Sequence, residues 1–186
     1  MMGRENMLRV PEEVLRSMFI LEDDLPREGG AQPEYAATMS ICVDAFENGL
    51  ASGRVCSYFA RESRGFQSLD QMLFAVEELL DLSGVPMRDT ELRKTIPAVQ
   101  PGRRKKPERN GKETAEPMGR TPLCRPGELR IQRGRVTSFY IRVFARQHTS
   151  VQGVVAWTEK GTRMEAFRSG MELMSLIWNT LDDLKG

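Results

Sequence analysis

Aromatic and basic side chains alternate along one short stretch in the last third of the chain. The four are Tyr140, Arg142, Phe144 and Arg146, and the apolar residues Ile141, Val143 and Ala145 separate them. Because the side chains of a β-strand point alternately to opposite faces, this spacing predicts a face with two aromatic rings and two guanidinium groups. Such a face can stack nucleic-acid bases and neutralise phosphates. The alternative is that the rings pack against other parts of the protein and the arginines are solvated.

A second group of cations lies in the middle of the chain. Its members are Arg103, Arg104, Lys105, Lys106, Arg109 and Lys112. Lys and Arg at this density attract phosphates in a salt-dependent manner, whatever the nucleic-acid sequence. The alternative is a basic tether that only keeps the chain soluble.

Charge is divided unevenly along the chain. Residues 1–87 carry 7 Lys or Arg against 15 Asp or Glu, residues 88–135 carry 14 against 6, and residues 136–186 carry 6 against 5. This division permits internal neutralisation. It also permits contact with an anionic partner through the middle and a cationic partner through the N-terminal half. The acidic run Glu22-Asp23-Asp24 would suit a basic surface on a nucleic-acid-binding partner, or is simply solvated.

Residues that support catalysis or bind metals are scarce. His148 is the single histidine, and it lies in a predicted turn. The three cysteines, Cys42, Cys56 and Cys124, show no paired spacing, which favours reduced thiols over a disulfide framework or a zinc site. Cys42 and Cys56 lie in opposite arms of a predicted hairpin, so a redox pair is the less favoured alternative. With no phosphate-binding loop and no nucleophile elbow, we expect neither an enzyme nor a cofactor nor a metal.

Two segments about a hundred residues apart share one pattern of strand and helix residues. The elements that this pattern predicts would position the candidate site residues. In the strands, Ile41, Val43, Ala45, Gly53 and Val55 match Ile141, Val143, Ala145, Gly153 and Val155. At the helices, Phe66, Ser68, Leu80 and Asp81 match Phe167, Ser169, Leu181 and Asp182. Shared glycines, an aromatic residue two positions before a serine, and matching caps in the same order predict an internal duplication.

The plan of each unit is a β-meander followed by a helix. In the first unit a strand begins near Thr38, a turn falls at Glu47-Asn48-Gly49, and the helix covers 69–82. In the second unit strands are expected over 136–146, 153–158 and 162–167, before a helix over 170–184. Ser68 with Gln71, and Ser169 with Glu172, predict a capping box at each helix start.

The predicted fold class is α+β. Residues 1–35 form an N-terminal acidic helix and loop, 36–87 the first unit, 88–135 a basic and largely flexible linker, and 136–186 the second unit. One such unit buries little surface, so the two pack together or the protein forms a homodimer. No stretch has the pattern of a signal peptide or the length of a membrane span, which favours a cytoplasmic protein.

One resemblance involves the second unit. Ala145-Arg146-Gln147, Gln152-Gly153, Trp157 and Phe167-Arg168-Ser169 before an apolar helix resemble small uncharacterised bacterial proteins often carried on mobile elements. The likeness covers about a quarter of the 186 residues and implies no defined chemistry. In size, divided charge and lack of an active site, the chain is also similar in character to anti-CRISPR proteins, which block a Cas nuclease by binding it or its nucleic acid.

These observations predict a non-enzymatic binding protein that acts on nucleic acid, DNA included, or on a nucleoprotein. Its sharpest form is an anti-CRISPR-type inhibitor whose partner is a Cas effector. The alternative is a protein-interaction adaptor or homodimeric scaffold that does not bind nucleic acid.

Overall fold

A computed structural model describes residues 37–87, 123, 126–147, 150–157 and 163–185 of the protein. This part of the chain is α+β, with a six-stranded antiparallel sheet and two long helices, which confirms the predicted class. The predicted N-terminal helix lies outside the described residues, as does most of the predicted linker, residues 88–122.

The elements follow the predicted order in both halves. The strands are β1 (Thr38–Glu47), β2 (Leu50–Ser57), β3 (Arg64–Phe66), β4 (Thr137–Gln147), β5 (Ser150–Trp157) and β6 (Arg163–Phe167). The helices are α1 (Leu69–Ser83), α2 (Pro126–Ile131) and α3 (Gly170–Asp183). The short helix α2 falls within the predicted linker, and it begins with a proline and an early acid, as helix starts often do. No helix in the described ranges combines the length and apolarity needed to cross a membrane.

The sheet is symmetric in its strand order, β3-β2-β1-β4-β5-β6. The first strands of the two halves, β1 and β4, pair at its centre, where Ser40 lies opposite Tyr140. These two residues differ by 100 in number, the same offset that relates Val43 to Val143 in the predicted match. The two halves are therefore related by an approximate two-fold axis through the β1–β4 pair.

A β-bulge interrupts both hairpins at matching positions. The register shifts between Val43 and Ala45 in β1 and between Val143 and Ala145 in β4. A bulge inserts one unpaired residue, so the side chains beyond it change faces. Phe46 consequently lies in the same core as Val43, although straight alternation would separate them.

The turn of the first hairpin is the one that the sequence predicts. Asn48 and Gly49 both have positive φ, 50° and 77°. Two successive left-handed residues form the tight turn that matches the twist of two antiparallel strands.

One face of the sheet is covered by α1 and α3, and the main core lies between these layers. Its central members are Met39, Ile41, Val43, Phe139, Ile141 and Val143 from the sheet, with Met72, Val76, Leu79, Leu80, Leu173, Ile177 and Leu181 from the helices. Burying each side chain of this size contributes about 1.5–3 kcal/mol. The core runs without interruption across both halves, so neither half has a separate core.

On the opposite face, α2 covers part of the sheet. Leu129 of α2 packs with Tyr58 and Phe59, and further along this face Tyr140 packs with Ala156. This face is therefore not an open platform, and even its serine and threonine side chains at β1 are buried.

The two long helices begin with different caps, which leads to a testable difference. The Ser169 side chain accepts a hydrogen bond from the Glu172 N–H at 3.1 Å, whereas Ser68 makes no side-chain cap bond. The serine hydrogen bond of the capping box predicted for α3 is therefore present. The corresponding serine hydrogen bond predicted for α1 is absent, so that prediction is wrong. We expect Ser169→Ala to lower the free energy of unfolding by about 1 kcal/mol, measured by urea denaturation.

Ser68→Ala is the matched control, because it removes the same hydroxyl from the equivalent position. Its cost should be at most a few tenths of a kcal/mol, since no backbone N–H loses its acceptor. Equal costs for the two variants would show that the Ser169 bond does not stabilise α3.

Candidate protein-binding surface

The predicted face of alternating aromatic and basic residues divides into buried and exposed parts. Tyr140 and Arg142 are 2% and 7% exposed, whereas Phe144, at the bulge, is 57% exposed. The Arg133 guanidinium lies 5.7 Å from the centre of the Tyr140 ring, a cation–π contact. Arg142 Nε donates to Thr38 Oγ1 at 3.1 Å. Only Phe144 of these three is available to a partner without rearrangement.

Arg146 lies on the other side of the sheet, which corrects its predicted position. Straight alternation places it with Tyr140 and Arg142, but the bulge before Ala145 turns it toward the helix layer. There its Nη2 atom lies 2.5 Å from a Glu77 carboxylate oxygen and 2.6 Å from one of Asp81. Arg146 is therefore a buried ion-pair residue between the second half of the sheet and α1.

The basic group of Arg103, Arg104, Lys105, Lys106, Arg109 and Lys112 lies outside the described residues. Its predicted contact with phosphates stays a prediction.

The outer side of α1 and α3 is strongly acidic. Neither helix contains a Lys or an Arg, and together they contain Asp70, Glu77, Glu78, Asp81, Glu172, Asp182 and Asp183. Six of these seven carboxylates are exposed, and Glu77 is half-buried. Together with the exposed apolar residues described next, we call this surface the acidic helix face.

Large apolar side chains are exposed among these acids. Phe74 on α1 is 74% exposed, and on α3 Met171 and Trp178 are 68% and 39% exposed. The two helices approach each other closely near Phe74 and Met171, because a Cβ on Gly170 would lie 2.9 Å from Leu73 Cδ1. Met171 and Trp178 are seven residues apart and therefore lie along one side of α3. Apolar groups on a charged surface are characteristic of interaction sites.

Only part of the negative charge is neutralised by neighbouring strands. Arg146 pairs with Glu77 and Asp81, and Arg64 Nε lies 2.8 Å from a Glu78 oxygen. Among the residues that the structure describes, subtracting these two arginines from the seven carboxylates leaves an excess of five negative charges on the two helices. Lys185, just beyond α3, lies 4.3 Å from the centre of the Phe46 ring and reduces this excess at one end.

Asp70 keeps its charge at the exposed start of α1. A hydrogen bond from the Ser68 side chain, together with backbone N–H groups of the first turn, holds the pKa of the Asp70 carboxyl below its usual value. This end of the acidic helix face is therefore ionised at neutral pH.

A broad groove of about 870 Å³ lies beside the first hairpin, and its Asp44 carboxylate is already paired. It contains Asp44 and Arg135, but the Asp44 carboxylate accepts from Arg54 at 2.7 Å and from the Arg135 N–H at 3.1 Å. No catalytic arrangement is evident among these groups. Within the described residues, no cluster of three or more His, Cys, Asp or Glu is arranged to hold a metal ion.

The comparisons with known proteins give no relatives. No protein-family model, curated protein or solved structure matches this chain.

The acidic helix face is not predicted from the sequence, because charge counted by chain segment does not show how that charge is distributed over the folded surface. The signal is present in α1 and α3, which lack any cation over 15 and 14 residues. Phe74 and Met171 also fall outside the apolar stripes that form the core. The lack of cations and the position of these apolar residues are recognised only when the residues of each helix are assigned to its buried and exposed sides.

Proposed function

We propose that the protein is a non-enzymatic binding protein that acts on a nucleoprotein, with the acidic helix face as its contact surface. The partner is a protein with a basic surface of the kind that binds nucleic acid. The single observation that carries this proposal is the occurrence of three exposed apolar side chains among seven carboxylates, on two helices without a cation.

Charge complementarity supports a basic partner. Proteins bind nucleic acids chiefly by neutralising phosphates with Lys and Arg. Rigid helices that present carboxylates can meet the same cations, and complementary charge accelerates association and excludes wrong partners. An acidic face repels nucleic acid itself, so a protein surface fits it better than a phosphate backbone does.

The apolar side chains support a stable contact. Charged residues at a rim contribute little net affinity, whereas a few buried aromatic or aliphatic residues carry most of it. Phe74 and Met171 have this role in the proposed complex, because both expose more than two-thirds of their surface in the free protein.

The sharpest form of the proposal is an anti-CRISPR-type inhibitor that covers the nucleic-acid-binding surface of a Cas nuclease. The resemblance in size and divided charge supports this form. The adaptor or homodimeric scaffold is the alternative, and the same apolar residues would then form its interface.

We also infer that the two halves arose by duplication. Each hairpin has a bulge at the same position, and Gly53 and Gly153 lie opposite Phe66 and Phe167 in the same way. Repetition of the register, beyond that of the apolar positions, supports a common origin.

We expect Phe74→Ser with Met171→Ser to weaken binding to the partner about a hundredfold, because each apolar contact is worth roughly 1–2 kcal/mol. The measurement is titration of the purified protein against a panel of guide-loaded Cas effectors, read as complex formation and as protection of target DNA from cleavage.

Asp182→Lys with Asp183→Lys should slow association and reduce its salt dependence. These cations suit the C-terminal end of α3, so the fold is retained.

Ile131→Ser is the matched control, since Ile131 is 73% exposed but lies on α2, at the opposite side of the sheet. It should leave binding unchanged. Cas effectors that neither bind the protein nor lose activity would contradict the inhibitor. Self-association that the apolar variants abolish would favour the homodimer, and direct binding to free DNA or RNA would favour the nucleic-acid alternative.

A further inference from the structure

Two cysteines meet on the face of the sheet opposite α1 and α3. Cys42 of β1 lies opposite Arg54 of β2, and Cys56 lies opposite Ser40, so the cysteines are diagonal neighbours. Alternation along the two strands places both side chains on the same face of the sheet. Neither cysteine forms a disulfide; Cys42 is buried and Cys56 is half-buried.

The bulge in β1 is what brings the two sulfurs to one face. At the turn, Glu47 lies opposite Leu50, and continuing that register would place Cys42 opposite Val55. Cys56 would then point to the other face, because successive side chains alternate. The one-residue shift between Val43 and Ala45 moves Cys42 opposite Arg54 and aligns the two thiols.

Polar groups around Cys42 stabilise its thiolate. The hydrogen bond from Cys56 is the largest influence, and it acts with the Ser40 hydroxyl, 3.5 Å away, and with the positive charge of Arg54. Together they lower the pKa of the Cys42 thiol to about 6, against the opposing effects of burial and of Asp44.

The cluster is specific to the first half of the protein. The positions that correspond to Ser40, Cys42, Arg54 and Cys56 are occupied in the second half by Tyr140, Arg142, Val154 and Ala156. A thiol pair is therefore not needed to build this sheet, since the second half forms the same hairpin without one.

We propose that Cys42 and Cys56 are a dithiol site that low-molecular-weight disulfides, such as glutathione disulfide, oxidise to an intramolecular disulfide. Diagonal neighbours in a sheet have Cβ atoms further apart than a relaxed disulfide requires. The bond consequently forms with a small shift of β1 against β2, and it is readily reduced again, as strained disulfides are.

The reaction starts at Cys56, the less buried of the two cysteines. Cys56 transfers its proton to Cys42 through their hydrogen bond, and the Cys56 thiolate attacks glutathione disulfide, forming a mixed disulfide and releasing one glutathione thiolate. Cys42 gives up its proton to that thiolate. The Cys42 thiolate then attacks the Cys56 sulfur, which forms the protein disulfide and expels the second glutathione thiolate, protonated from water. The protein loses two electrons and the one proton that the two sulfurs shared, water supplies the second proton, and glutathione disulfide becomes two molecules of glutathione.

The test uses the full chain carrying Cys124→Ser, so that only two thiols are present. After incubation with glutathione disulfide and alkylation of the remaining thiols, trypsin cleaves after Arg27, Arg54 and Arg61. The expected product is peptide 28–54 joined to peptide 55–61 in most of the protein, with separate peptides after reduction. Protein that keeps both thiols, or that stops at a mixed disulfide on Cys56, would overturn the proposal.

Two variants test the order of the steps. Cys42→Ser should accumulate the mixed disulfide on Cys56, because no second thiol resolves it. Cys56→Ser should slow modification of Cys42 by about a hundredfold, since a buried thiol is inert. Reaction of Cys42 at the wild-type rate in the Cys56→Ser protein would show that Cys56 is not the entry point and would overturn the mechanism.

Discussion

Arg146→Met should lower the free energy of unfolding by about 3 kcal/mol, the typical cost of removing one partner from a buried ion pair. The Arg146 side chain is 4% exposed and lies between Glu77 and Asp81, whose side chains are 26% and 55% exposed. Methionine keeps most of the packing volume but leaves two carboxylates one helical turn apart against an apolar group. Urea denaturation followed by circular dichroism measures the change.

A second set of substitutions separates the charge from the packing. Arg146 Nε is buried and has no hydrogen-bond partner, so the arginine itself is incompletely satisfied. Adding Glu77→Gln and Asp81→Asn to Arg146→Met should therefore recover much of the lost stability, because an uncharged junction has no ions to desolvate. No recovery would indicate that the loss comes from the shape of the side chain.

Arg64→Met is the matched control for the ion pair. Arg64 also contacts a glutamate of α1, but its side chain is 31% exposed and that of Glu78 is 56% exposed. An exposed pair of this kind contributes about 0–1 kcal/mol. If Arg64→Met is as costly as Arg146→Met, burial of the guanidinium does not determine the strength of these contacts.

The position in the first half that corresponds to Arg146 holds an aromatic residue instead of a charged one. Phe46 corresponds to Arg146 in the sheet, and its ring meets Trp178 edge-on, with centroids 6.4 Å apart. In the helices, Trp178 corresponds to Glu77, because the second half has one inserted residue between its strands and its helix. An aromatic contact thus joins α3 to the first half of the sheet, where an ion pair joins α1 to the second.

Most elements of the fold can be predicted from the sequence because each has a local cause. The alternation of Met39, Ile41 and Val43 predicts β1, the Asn48-Gly49 pair predicts the hairpin turn, and helical spacing predicts α1 and α3. The matching residues of the two halves also indicate which strands correspond. None of these signals depends on contacts between distant parts of the chain.

The bulges are not predictable in the same way, and the errors in the predicted site follow from them. A single extra residue leaves the apolar pattern intact up to Val143 and reverses it afterwards. Straight alternation therefore predicts the wrong face for Arg146. The phase change from Val43 to Phe46 in the first half is the available signal, since a large aromatic residue there breaks the alternation.

The candidate surface depends on tertiary structure in a further respect. Charge on α1 and α3 is apparent from their sequences, but pairing of Glu77, Asp81 and Glu78 with strand arginines is a property of the folded sheet. The exposure of Phe74 likewise follows from which side of α1 meets the core. Sequence alone identifies the acids, and the packing identifies which of them pair with strand arginines.

Gly53→Ala and Gly153→Ala should each lower the free energy of unfolding by about 3 kcal/mol, the upper part of the usual range for overpacking. A Cβ at Gly53 would lie 2.0 Å from the Cys42 carbonyl oxygen, and one at Gly153 would lie 2.0 Å from that of Arg142. Both obstacles are backbone atoms of the neighbouring strand, so relief requires the strands to separate at the bulge. Thermal and urea denaturation measure the loss.

Gly65→Ala is the control, because its Cβ would meet nothing closer than 3.9 Å. Alanine there should change stability by no more than about 0.5 kcal/mol, as at most surface positions. The comparison of Gly53 with Gly153 tests the equivalence of the halves, since Phe66 and Phe167 lie against them at 3.1 and 2.9 Å. Tolerance of alanine at one glycine and not at the other would mean that the two bulges, although alike in register, do not constrain the sheet in the same way.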